Sequence, residues 1–145
     1  MKWKNVPIPE TIVFPLVAGY VIDIFISYPL FPLSNFWLVI ASILLILGLM
    51  LMIWSVREAG KIDMVAPGRL LTSGPYSYSR NPMYVSWVSV YLSIFFINRS
   101  LWLLLLLFVA LLATHYLVIL REERILREKF VDQFSQYCEK VRRYI

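Results

Sequence analysis

Cysteine and histidine are almost missing: among 145 residues there is one cysteine, Cys138, and one histidine, His115. A single cysteine excludes an internal disulfide, and one thiol with one imidazole cannot close a structural zinc site, so no metal is expected. Charge is scarce too, with 16% charged residues against 60% hydrophobic and 16% aromatic. A soluble domain of this length could not bury such an apolar surplus, and a membrane protein is expected. There is no Gly-x-Gly-x-x-Gly stretch and no P-loop, which removes the soluble nucleotide-binding folds. No small-x-small cleavage site follows the first apolar run, and Asp23 interrupts it, so that run is expected to be retained rather than removed as a signal peptide. The net charge of +5 points to anionic headgroups and the positive-inside rule, with no nucleic acid partner expected.

What is present divides into apolar runs and one long polar connection. Spans are expected over residues 11–28, 36–54, 82–97 and 101–120, giving an all-α, polytopic membrane protein with about four transmembrane helices in a single domain, residues 1–145. Met1–Glu10, with Lys2, Trp3 and Lys4, reads as an interfacial lead-in. Asp23, near the far end of the first span, reads as a structural or water-facing acid. Ala41, Gly48 and Ser55 recur every seven residues on one face of the second span, where small side chains permit close helix packing. Ser86, Ser89 and Ser93 read the same way on the third. Residues 55–81 form a connection too long for a hairpin, holding Arg57, Glu58, Lys61, Asp63, Arg69 and Arg80. With four spans these charges and the basic tail fall on one side, leaving Arg99 opposite, so both termini and the long loop are expected to be cytoplasmic.

The segment Leu71–Tyr84 is where a site is expected. Gly74-Pro75 marks a turn, and Asn81-Pro82 reads as an N-cap followed by proline at the first helical position. The third helix is short, about 24 Å against a hydrocarbon core of about 30 Å, whereas the fourth runs on past Leu120 without a breaker. Counting back from the turn at Arg99 puts Tyr116 level with Pro82, and Glu122 and Glu123 overhang the recessed helix start. His115 and Glu122 are seven residues apart and are expected on nearly one face, as are Tyr116 and Glu123. Backbone N–H groups at the start of the third helix can hold a carboxylate or phosphate. The glutamates can hold a cation or ribose hydroxyls, and Tyr76, Tyr78 and Tyr84 offer rings to an onium centre. S-adenosylmethionine fits that description without being singled out by it.

The string Leu71-Thr72-Ser73-Gly74-Pro75-Tyr76, then Ser79-Arg80-Asn81-Pro82-Met83-Tyr84, then Glu122-Glu123 followed by Leu126, Phe130, Phe134, Tyr137 and Val141, resembles the isoprenylcysteine carboxyl methyltransferase and phospholipid methyltransferase family of integral membrane enzymes. The resemblance covers roughly Arg69–Ile145. It implies S-adenosylmethionine held on the cytoplasmic side by residues 69–84 together with 121–145, and a lipophilic acceptor entering from the bilayer. Carried over by position, the cofactor-binding residues are Leu71, Thr72, Gly74, Pro75, Tyr76, Asn81, Pro82, Tyr84, Glu122 and Glu123. Ser86 and Val131 stand where glycine is usual, and Arg142 where proline is frequent.

Candidate catalytic residues are Arg80, able to pair in bidentate fashion with a substrate carboxylate, and His115, a base for an amine acceptor. A prenylcysteine-type carboxylate is the expected acceptor; a phospholipid amine, another small molecule, or an NADPH-dependent reductase of similar architecture are alternatives. The prenylcysteine enzymes tend to carry a further arginine about two turns before the glutamate pair, where this chain has His115 and Tyr116. Arg80 as a headgroup anchor, Glu122 and Glu123 as helix-surface ion pairs, and His115 as a hydrogen-bonded core residue are the blander readings. From Ile125 onward, apolar residues at spacings of three and four predict an amphipathic cytoplasmic helix able to roof the cleft.

Overall fold

The computed structural model describes residues 9–61 and 68–144. Lys2, Trp3, Lys4, Asp63 and Ile145 lie outside the described residues. Five helices form the body: α1 Glu10–Phe25, α2 Asn35–Ala59, α3 Pro82–Asn98, α4 Leu101–Ala113 and α5 Leu120–Lys140. A π-helical segment, Thr114–Ile119, joins α4 to α5, so the chain stays helical for 40 residues from Leu101 to Lys140. One short turn of 3-10 helix, Gly74–Ser77, lies in the connection before α3.

The expectation of four membrane crossings is corrected here. Two helices are long and apolar enough to cross a membrane, α2 and the continuous helix that begins at Leu101. The other two fall short: α1 has 16 residues and α3 has 17, about 24–26 Å at helical rise against about 30 Å of hydrocarbon. The first ends at Phe25 rather than Tyr28 because the following backbone is taken up by a turn. Ile26 O accepts from Trp102 Nε1 at 2.7 Å, and Tyr28 O accepts from the Leu101 N–H at 3.0 Å. The third ends where Arg99 turns left-handed at φ 60°, its N–H returning to Phe95 O, a helix-terminating αL bond. Leu30 N–H reaches Arg99 O at 2.8 Å, so the two turns, 26–31 and 98–101, are tied together at one end of the molecule.

Small residues decide which helices touch. α2 packs on α3 and α1 on α4. Ala41, Gly48 and Ser55 are all buried on α2, and a Cβ at Gly48 would stand 3.0 Å from Ser89 Cβ and 3.1 Å from Ser86 O. At Gly19 a Cβ would stand 3.3 Å from Leu103 Cα, so α1 and α4 also approach at backbone distance. α3 and α4 meet mainly through side chains, with Tyr91, Phe95, Leu103, Leu107 and Ala110 in one core and Tyr91 O–H donating to Leu103 O at 3.0 Å. Outward, Phe36, Val39, Leu47 and Met50 of α2 and Phe108, Leu112 and Leu117 of the long helix are more than half exposed. Only 11% of the most apolar window of α2 is buried, an apolar surface that suits lipid rather than water.

At the other end, Thr11 Oγ1 and Thr114 Oγ1 share a hydrogen bond of 2.7 Å, bringing the start of α1 level with the polar end of the long helix. There the second half of α5 buries Phe134 and Tyr137, with Val141 just beyond it, against Leu70, Leu126 and Phe130. Non-helical dihedrals at Val131 kink α5, which lets its apolar stripe fold back over the loop before α3.

Candidate functional site

The loop that precedes α3 is held from three directions. Underneath, Glu58 at the end of α2 accepts from Ser73 Oγ and Lys61 Nζ, each at 2.6 Å. Gly74, at φ 60°, sits so close that a Cβ would stand 3.2 Å from the Glu58 side chain and from Trp54 Nε1, so only glycine suits both the turn and the space. Above, Tyr137 O–H donates to Tyr76 O at 2.6 Å, joining α5 to the 3-10 turn. Pro75 and Tyr76 are buried in consequence. Burial pushes the Tyr76 hydroxyl up to about 12, with the negative charges of Glu122 and Glu58 adding to it, so the group stays protonated at neutral pH. From the side comes the chain's C-terminal stretch. Arg80 N–H donates to Arg142 O at 3.0 Å, Asn81 Nδ2 to Arg143 O at 3.1 Å and Ser79 Oγ to Arg143 O at 3.4 Å.

Pro82 opens α3 as the sequence predicts, its missing N–H being one the helix does not need. Asn81, however, makes no side-chain cap; its amide is engaged by Arg143 O instead. At the start of α5, the glutamate pair separates into two roles. Glu122 is exposed, and one carboxylate oxygen accepts from Tyr84 O–H at 3.0 Å. Glu123 is buried and lies between two arginines, 3.1 Å from Arg80 Nη1 and bidentate to Arg143 Nε and Nη2 at 2.9 and 2.8 Å. That pair of hydrogen bonds holds the Arg143 guanidinium above its usual pKa. Arg80 also points an N–H at Cys138 Sγ, while its Nε is buried without a partner among the described residues.

The structure therefore brings Tyr76, Arg80, Asn81, Pro82, Tyr84, Glu122 and Glu123 to one end of the bundle. Thr72 is exposed and Leu71 half-buried, at the margin of this group. Tyr78 is 75% exposed and rests against Trp54 rather than over the glutamates. His115 joins only through the tail, its Nδ1 sharing a hydrogen bond with Tyr144 O–H. Tyr116 and Glu123, expected on one face, differ in exposure: Tyr116 is 63% exposed and Glu123 8%. The cause is the π-helical segment between them, whose wider turn rotates everything after it relative to an uninterrupted α-helix.

Sequence reasoning missed Arg143, Tyr144, Ser79 and Glu58. The signal for the first two was the apolar stripe of α5, which ends at Val141 and so delivers the next residues onto the loop. For Ser79 and Glu58 nothing in the sequence marks the contacts they make.

These features describe an all-helical, membrane-associated protein with a cluster of charged and aromatic side chains at one end of its bundle. A family model described as phospholipid methyltransferase matches residues 36–133, well over half of the chain. The chain belongs to the phospholipid methyltransferase family, and with membership goes S-adenosylmethionine-dependent methyl transfer to a lipid-related acceptor. No curated protein and no solved structure matches it. Glu122, with a carboxylate oxygen outside its bond to Tyr84, and the partnerless Nε of Arg80 are a donor and acceptor set that fits this cofactor's ammonium or hydroxyl groups and its carboxylate.

Proposed function

We propose that the cleft methylates the amine of a phospholipid headgroup, with the cofactor held by Glu122, Tyr76, Tyr84, Arg80 and the start of α3. The observation that carries this reading is the unequal state of the two glutamates: Glu122 is open to a ligand, while Glu123 is neutralised and positions Arg80. When bound, S-adenosylmethionine supplies a methyl group already activated on a sulfonium. The protein then has little covalent chemistry to perform and acts by alignment and exclusion of water. Tyr84 orients Glu122, Tyr137 holds the Tyr76 loop, and the chain from Val141 to Tyr144 covers one side.

A prenylcysteine-type carboxylate, the acceptor expected from sequence, is supported less well. Its natural anchor, Arg80, is only 14% exposed and lies under the backbone of residues 142 and 143. An amine must instead lose a proton before its lone pair can attack, and His115, whose Nδ1 is held by Tyr144, leaves Nε2 for that purpose. The polar end, where Thr11 and the tail both lie, is proposed to face the cytoplasm, with α2 and the apolar part of the long helix as the two crossings.

The test is methyl transfer from radiolabelled S-adenosylmethionine into a lipid extract, with identification of the labelled species. Labelled N-methyl phospholipid is expected; a labelled carboxyl ester would overturn the amine reading. In a detergent titration, Glu122→Ala is expected to weaken cofactor binding at least about tenfold, and unchanged affinity would remove the cofactor role of the cleft.

A further inference from the structure

Two arginines converge on one carboxylate. Arg80 and Arg143 both pair with Glu123, so these three side chains carry one surplus positive charge in a partly buried place. The two guanidinium groups differ in access. Arg80 is 14% exposed, whereas Arg143 is 34% exposed and commits only Nε and Nη2 to the glutamate, leaving its Nη1 outside the pair. Position adds to access. Tyr144 hydrogen-bonds to His115, and the residues that follow His115, Tyr116 and Leu117, are 63% and 66% exposed on the apolar outer wall. Arg143 thus stands where the polar cleft meets the lipid-facing surface, at the level where a headgroup lies.

Charge counting indicates what belongs there. Arg80, Arg143, Glu122 and Glu123 sum to zero. The cofactor brings a carboxylate, an ammonium and a sulfonium, a net charge of +1, and an uncharged attacking amine adds nothing. With both glutamates ionised the occupied site would carry one positive charge, which a phosphodiester would balance.

We propose that Arg143 is a specificity-determining residue whose guanidinium takes the phosphodiester of the acceptor lipid and so places its amine in the cleft. This rests on the methyl-transfer reading above. It also assigns a role to a residue beyond the stretch, 36–133, that the family model matches.

The experiment compares two acceptors in mixed micelles, dilauroylphosphatidylethanolamine and the phosphate-free long-chain amine sphinganine, with wild type, Arg143→Gln and Arg143→Lys. Arg143→Gln is expected to raise KM for the phospholipid about tenfold and to change KM for sphinganine and for the cofactor less than about twofold, with Arg143→Lys, which keeps the charge but not the bidentate bond to Glu123, restoring part of the loss. An equal rise for both acceptors overturns the proposal, since it marks general damage to the tail. A rise confined to the cofactor's KM overturns it too, because the anion is then the cofactor carboxylate. A second arm needs no turnover: binding of glycerophosphoethanolamine to the detergent-solubilised protein is expected in wild type, lost in Arg143→Gln and regained in Arg143→Lys. That pattern without any methylated product would remove the methyl-transfer reading and leave the phosphodiester seat standing. Equal binding by wild type and Arg143→Gln would overturn the seat.

Discussion

Adjacent glutamates, one helical position apart, have opposite environments, and the difference comes from what reaches each of them. Glu122 meets one phenol, whereas Glu123 meets two guanidinium groups and is nearly covered. Removing one member of a buried ion cluster costs more than the cluster itself stabilises, because like charges are left facing each other. Glu123→Gln keeps size and shape but leaves Arg80 and Arg143 without their anion. It is expected to lower stability by about 3 kcal/mol. Glu122→Gln keeps an oxygen to accept from Tyr84 O–H and loses only the charge, so it is expected to cost no more than about 1 kcal/mol. Melting temperatures of the two variants in one detergent measure the order, and equal losses would show that Glu123 is not the keystone of the cluster. The sequence marked both residues as a pair but could not separate them, since the partner that separates them, Arg143, lies twenty positions away.

Close approach governs the elements. The Cβ that Gly48→Leu would add meets Ser86 O, a backbone acceptor that cannot rotate away. The substitution is expected to cost about 1–3 kcal/mol and to shift α3, whose first residues frame the cleft. Leu47→Ala, one residue away on a position 58% exposed, is expected to change the melting temperature little. A Gly48→Leu protein as stable as wild type would mean that α2 and α3 are not in backbone contact. This face was legible beforehand because Ala41, Gly48 and Ser55 repeat with the helical period. The start of α3 was legible for a similar local reason, proline at the first helical position. Two other features were not. The shortness of α1 depends on hydrogen bonds from Leu101 and Trp102, more than seventy residues away, which draw residues 26–28 out of the helix. The π-helical turn at Thr114–Ile119 leaves no mark in composition, yet it breaks the α-helical spacing between Tyr116 and Glu123, one exposed and the other buried.

For the whole molecule, the two apolar helices that can hold it in a membrane are separate from the parts that complete its cleft. α2 and the first half of the long helix supply the lipid-facing surface, while the stretch from Val141 to Tyr144 supplies backbone carbonyls to Arg80, Asn81 and Ser79. Truncation after Lys140 is therefore expected to leave membrane extraction behaviour and helical content nearly unchanged and to reduce cofactor affinity at least about tenfold, the scale of losing charge-assisted contacts in a site. Arg143→Gln keeps those carbonyls and removes only the guanidinium, so the pair of variants separates the tail as a wall from Arg143 as a ligand group. Cofactor binding that survives truncation would show that the tail covers the cleft without completing it. Loss of cofactor binding in the truncated protein, with Arg143→Gln still binding the cofactor as wild type does, would place the tail's contribution in its backbone, at the loop that opens α3.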